Sequence, residues 1–252
     1  MIWQTRLIQR CLGWIVVFSI SSMLVLTLTP PAQAGLFDLL FGRRNREAPR
    51  RGTGEGASIR DDGCSAPVSN QPLFAFVPPD GVGSTTQDYP TFLFYVPFAR
   101  SPQMAYAEFM LLDDQQNYAI DRPIRVTLPE TIGLVQFRLP ETAPPLATNQ
   151  RYNWYFSIIC DAEEPSRNPV ISGWIQRTAP SDNLALKLRV LPGPSHYRAY
   201  EAENAWYDAL ASLADYSSDR SLQPLWSRIL GAYELEGISQ QAIPELTPVS
   251  SR

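Results

Sequence analysis

Between residues 151 and 160 every second side chain is large and apolar. Tyr152, Trp154, Phe156, Ile158 and Cys160 share one phase, while Asn153, Tyr155, Ser157 and Ile159 share the other. A period of two marks a strand with one face in a core. Shorter runs of the same kind lie at residues 73–77, 91–97, 105–112, 124–128, 135–139 and 170–178. The run at 91–97 has aromatic and β-branched residues on both phases, so it is expected in the middle of a sheet, buried on both sides. Seven short strands separated by Pro, Gly, Asp and Asn turns predict a mostly β fold, an antiparallel β-sandwich over residues 64–180.

Beyond Pro194 the period changes to about 3.6. Ala202, Trp206, Ala209, Leu210 and Leu213 line one stripe of a helix expected over 198–216. A second helix is expected to start at a Ser221 cap with Pro224 in its first turn and to end at Gly237. Its stripe is Leu225, Trp226, Ile229, Leu230 and Tyr233. Together they predict a helical hairpin, residues 195–237, packed on the sandwich, because two amphipathic helices cannot bury both stripes on each other. Tyr152, Trp154, Trp206 and Trp226 are assigned structural roles, and residues 238–252 are expected to be a disordered tail.

The opposite end of the chain carries an address. Arg6 and Arg10 precede the uncharged run from Leu12 to Leu28, and Ala32-Gln33-Ala34 follows Pro30-Pro31. Basic, apolar and small-x-small regions in that order predict a secretory signal peptide, residues 1–34, cleaved after Ala34. The chain is then exported, to the periplasm or cell surface. Cleavage removes Cys11 and leaves Cys64 and Cys160, which an oxidising compartment would join as a disulfide. Residues 35–63 read as a flexible Arg/Gly-rich linker, with weak membrane-surface contact available through residues 36–46. The net charge of −4, with most arginines of the early mature chain inside that linker, argues against nucleic acid as a partner.

Catalytic patterns are not found. His196 is the only histidine and lies in a Pro-Gly-Pro-Ser connector, so a hydrolase acting through it is a minor reading. The acids Asp113/Asp114 and Asp161/Glu163/Glu164 sit at strand ends without calcium-loop spacing. No metal or cofactor is expected. The aromatic residues on the outward phase are the better candidates: Tyr155 and Trp174, flanked by Asn153 and Gln176, suit stacking on sugar rings. The bland alternative is that the helical hairpin covers this face. The leading expectation is a non-enzymatic envelope binding or scaffold module with a protein partner, and the alternative is a carbohydrate-binding module.

Two resemblances add to this. Leu146 and Tyr152-x-Trp154 resemble the corner entering the sixth strand of immunoglobulin and fibronectin-III sandwiches, where a Tyr hydroxyl bonds back to the preceding loop. The blocks Tyr89-Pro-Thr-Phe-Leu-Phe-Tyr-Val-Pro97, Arg151-Tyr-Asn-Trp-Tyr-Phe-Ser157, Gly173-Trp-Ile-Gln-Arg177 and Ala205-Trp-Tyr-Asp-Ala-Leu210 resemble a cyanobacterial family, domain of unknown function 928, from about Gly63 to Gly237. That resemblance implies exported proteins of photosynthetic bacteria and carries over no activity and no site residue.

Overall fold

The computed structural model describes residues 71–78, 81–102, 104–238 and 243–249. The expected signal peptide and linker, Cys64 and the 36–46 segment lie outside the described residues. Eight strands form among them: β1 (Phe74–Ala75), β2 (Val82–Thr85), β3 (Thr91–Val96), β4 (Tyr106–Asp113), β5 (Ile124–Thr127), β6 (Gly133–Arg138), β7 (Arg151–Ile158) and β8 (Val170–Arg177). Four α-helices follow: α1 (Asp182–Val190), α2 (His196–Ala202), α3 (Trp206–Asp215) and α4 (Gln223–Gly231). The strands make two open sheets, ordered β1-β3-β6 and β2-β8-β7-β4-β5. The fold is therefore mixed, with more helix than a mostly β chain with one hairpin.

Aromatic rings join the sheets face to face. Phe94 of β3 stacks on Phe156 of β7 with centroids 4.2 Å apart. Phe92 meets Phe109 at 4.9 Å and Trp154 at 5.8 Å, and Phe109 meets Phe137 of β6 at 4.6 Å. Such pairs add about 0.5–1.5 kcal/mol each to their area burial. On the opposite phase of β3, Leu93 and Tyr95 are also buried. Phe74 stacks on Tyr95 and on Tyr233, which follows α4, at 5.4 and 5.3 Å. Trp206 Nε1 donates to Phe76 O at 3.0 Å, and Trp226 Nε1 donates to Leu213 O at 3.2 Å. Helix α3 and the Tyr233 segment after α4 thus pack against the outer face of the three-stranded sheet, which explains why β3 has no polar face.

Several expectations need correction. The sheet is not wholly antiparallel: β2 pairs with β8 in parallel, from Val82↔Trp174 to Thr85↔Arg177. Sequence reading missed β2 because Val-Gly-Ser-Thr is short and contains glycine, a poor strand former. The glycine is needed there, since a Cβ on Gly83 would lie 2.4 Å from the Tyr207 ring. The helix expected over 198–216 is two helices. Asn204 breaks it in the left-handed region at φ 54°, and Ala205 N bonds back to Tyr200 O at 2.9 Å. Ala202 is exposed as a result, while Trp206, Ala209, Leu210 and Leu213 are buried as their stripe predicts.

Helix α1 was not foreseen; Ser181 caps it by accepting from Leu184 N at 3.1 Å. Ser221 does not cap α4. Its hydroxyl donates to Asp219 Oδ1 at 2.7 Å, and Leu222 takes the cap position. The helix ends at Gly231 rather than Gly237, with Glu234 turning the chain at φ 60°.

The expected disordered tail is in part an ordered strap. Gln136 N donates to Pro244 O and Leu246 N to Gln136 O, at 2.9 and 2.7 Å, on the edge of β6. Thr127 N then donates to Thr247 O and Val249 N to Arg125 O, at 3.1 and 2.8 Å, on the edge of β5. Residues 243–249 therefore link both sheets along the side where each has a free edge. Pro244 and Pro248 fit because an edge segment tolerates missing N–H groups.

Candidate ligand surface on the five-stranded sheet

Helix α3 packs on β3 and on the edge strand β2 of the five-stranded sheet, and its Tyr207 reaches β7 and β8 from the core side, so the outer phase of β7 and β8 lies away from these helical contacts. Cross-strand register assembles the surface: Asn153 stands opposite Trp174, Tyr155 opposite Ser172, and Arg151 opposite Gln176. On the far side Met110 faces Tyr155 and Leu112 faces Asn153. Tyr155, Trp174 and Gln176 are half-buried, and Arg151 is exposed. The four residues picked from sequence, Tyr155, Trp174, Asn153 and Gln176, therefore share one face.

The geometry adds what the pattern did not. The Arg151 guanidinium carbon lies 5.0 Å from the Trp174 ring centroid, a cation–π stack. The indole is therefore not a bare platform on that side, because a cation covers it. Asn153 Nδ2 donates to the Tyr155 hydroxyl at 2.9 Å and fixes that ring. Its Oδ1 is buried without a partner. A second stack lies across the sheet, with the Arg125 guanidinium 4.8 Å from the Tyr106 ring centroid. There Arg125 Nε also donates to Glu108 Oε1 at 2.8 Å, so that cation is neutralised.

The surface is held from beneath. Trp154 points into the core and donates from Nε1 to the Tyr207 hydroxyl at 2.8 Å. That hydroxyl donates in turn to the Trp174 carbonyl at 3.0 Å, and burial pushes its pKa up, so it stays protonated. Core indole, helix phenol and the strand bearing Trp174 form one chain of bonds. Gly173 makes room for it, because a Cβ there would lie 2.4 Å from Trp154 Cζ2.

The other residues singled out from sequence have structural places. The Tyr152 hydroxyl accepts from Ala147 N at 2.8 Å, bonding back to the preceding loop. Trp154, Trp206 and Trp226 are fully buried. Cys160 is half-buried at the end of β7, its Sγ 3.8 Å from Met104 Sδ. His196 Nε2 lies 3.0 Å from Leu191 O and pins the turn between α1 and α2. Asp113 accepts from Gln115 N and Asn117 N, and hydrogen bonds from Asn117 hold its pKa down. Asp161 accepts from Glu163 N and Glu164 N, so both acidic clusters are turn-builders.

One buried acid was missed. Asp208 of α3 accepts from Thr86 N at 2.7 Å, from Thr86 Oγ1 at 2.6 Å and from Thr85 Oγ1. Burial raises its pKa, and those bonds oppose the rise. It clasps the end of β2 to α3, beside a second tie from Ser84 Oγ to Asn204 O. Nothing in the sequence pairs Thr85 and Thr86 with Asp208 unless β2 is already recognised as a strand.

A family model described as Domain of Unknown Function (DUF928) matches residues 48–243. No curated protein and no solved structure matches the chain.

Proposed function

This chain belongs to the DUF928 family, and on that premise we propose that it is an exported, non-catalytic binding module of the cell envelope. Its ligand surface is the outer face of β7 and β8, and its ligand is an envelope polysaccharide. One observation carries the reading: helix α3 and the Tyr233 segment pack on the outer face of the three-stranded sheet. That placement favours an open outer face of β7 and β8 over burial of Tyr155 and Trp174 under the hairpin. Rings among Ser172, Gln176 and a fixed phenol suit sugar recognition by contact and hydroxyl hydrogen bonds.

Export rests on residues 1–34, and the proposed disulfide joins Cys64 to Cys160. The Tyr152–Ala147 bond supports an immunoglobulin/fibronectin-III-like arrangement of the two sheets. A protein partner is the second reading, favoured by the Trp, Tyr, Met and Arg composition of the face, residue types enriched at protein interfaces.

The test is binding of the full mature chain to a panel of envelope and reference polysaccharides, by affinity electrophoresis. Trp174→Ala should abolish the retardation while circular dichroism stays unchanged. Unretarded migration of the parent protein in every polysaccharide would sink the polysaccharide reading and leave the protein partner in its place.

A further inference from the structure

The polysaccharide reading leaves the ligand's charge open, and Arg151 supplies it. Resting on that reading, we infer that the ligand is an acidic polysaccharide, one whose sugar rings bear carboxylates, and that Arg151 binds a carboxylate.

Three observations converge. Arg151 is exposed and stacked on Trp174 at 5.0 Å, and no described carboxylate lies within ion-pair reach of it. A guanidinium lying on a ring keeps the N–H groups at its edge free, in the planar fork that grips a carboxylate with two bonds. Stacking also reduces the rotamer freedom that an isolated arginine loses on binding.

The second observation is contrast on the same face. Arg125 has the same kind of stack, on Tyr106, but Glu108 already holds it at 2.8 Å. The unneutralised stack is therefore the one beside the Tyr155–Asn153 pair. The chain as a whole is acidic, with net charge −4. The net charge disfavours a polyanion in general, so its binding rests on a local cation such as Arg151 on this face.

The third is the chemistry around the stack. Gln176 stands opposite Arg151 on the neighbouring strand, and the Tyr155 hydroxyl and Ser172 are the next groups along the sheet. Donors and acceptors at strand spacing match the hydroxyls of a sugar that has already delivered its carboxylate to Arg151. Asn153, nine-tenths buried beneath them, keeps Oδ1 unpartnered. A donor that reached it on ligand binding would remove a standing desolvation cost.

The experiment uses the full mature chain with three probes: polygalacturonate, the same polymer with its carboxyls methyl-esterified, and polyglutamate. Polygalacturonate should bind, esterification should remove most of that binding, and polyglutamate should bind weakly. Arg151→Gln should weaken polygalacturonate binding about tenfold, the order of one charge-assisted pair. Arg151→Gln should also flatten the salt dependence. Arg151→Lys should recover only part, because an ammonium lacks the fork. Circular dichroism of each variant checks the fold.

Equal binding of the esterified polymer, or an unaffected Arg151→Gln, would overturn the acidic-ligand inference and leave the polysaccharide module standing. Binding of polyglutamate in preference to both sugar polymers would overturn both and assign the face to an acidic protein.

Discussion

A glycine ties the candidate surface to the core. Gly173 is the position where the strand bearing Trp174 crosses the Trp154 ring. Gly173→Ala should cost about 1–3 kcal/mol, typical of overpacking, with a red-shifted tryptophan emission on the way to unfolding. Guanidinium denaturation followed by fluorescence measures both. A wild-type midpoint for the variant would mean that Trp154 is free to move aside.

Asp208 makes a prediction in pH. Its folded pKa lies above its ordinary 3.8, because burial disfavours the charged form more than Thr85 and Thr86 favour it. Its contribution to stability is thus fully present below 3.8 and is lost as pH rises through the folded value. Asp208→Asn should remove that increment, so the difference in melting temperature between the two proteins should change sign or shrink across the acid range. Parallel melting curves from pH 3 to 7 would refute the assignment. Asp208→Ala should destabilise by about 1–3 kcal/mol at any pH, since Thr86 N–H and two hydroxyls lose their acceptor.

At the level of elements, legibility followed burial. β3 and β7 were readable because their apolar patterns state which faces are wet: β3 neither, β7 one. The two tryptophan stripes were readable for the same reason. What was not readable depends on backbone partners. β2 has hardly any pattern of its own and exists because β8 offers it an edge. Helix α1 leaves Leu186 and Val190 exposed, so no stripe announces it. The break at Asn204 interrupts a periodic run with a single left-handed residue.

The candidate site divides likewise. Alternation put Tyr155, Asn153, Trp174 and Gln176 on one face. Only the diagonal reach of a long side chain across strands laid Arg151 on the indole.

The strap is the extreme case of an element with no pattern. Truncation after Ile238 removes four backbone bonds to the sheet edges and the buried Leu246 side chain. Leu246→Ala alone should cost about 2–3 kcal/mol. The truncated chain should melt lower and should associate, since β5 and β6 then present unpaired edges. Size-exclusion chromatography with light scattering reads the association, and a monodisperse, equally stable truncation would remove the strap from the architecture.

On the scale of the whole molecule, the helices pack on the three-stranded sheet and on the edge strand β2, and the outer face of β7 and β8 lies beyond the five-stranded sheet. This order gives the chain one surface committed to its own stability and another on which the proposed ligand surface lies. Sequence alone could not decide between the two sheets, because both present aromatic residues outward. The hairpin's choice was made by Phe74, Phe76 and Tyr233, a cluster spread over far-separated segments.

The proposed Cys64–Cys160 bond would add to the molecule at its N-terminal lead-in. In the chain-entropy model a loop of that length contributes about 4–5 kcal/mol. Peptide mapping of the native protein without reductant should recover the two cysteines linked, and reduction should lower the melting temperature. Recovery of both as free thiols would refute the bond and weaken the case for an oxidising compartment.

The strap also sets a timetable. A ribosome or a translocation pore delivers this chain N-terminus first, so the strands on both open edges emerge well before residues 243–249 do. Until those last residues dock, β5 and β6 are bare templates on which a neighbouring nascent chain can pair. The interval is a window of aggregation risk fixed by sequence position rather than by stability. A stalled or prematurely terminated product is caught in it permanently. The contact joining Val126 to Pro248 is thus the molecule's finishing stitch, and a chaperone that guards this protein would do its work on that side until the stitch is made.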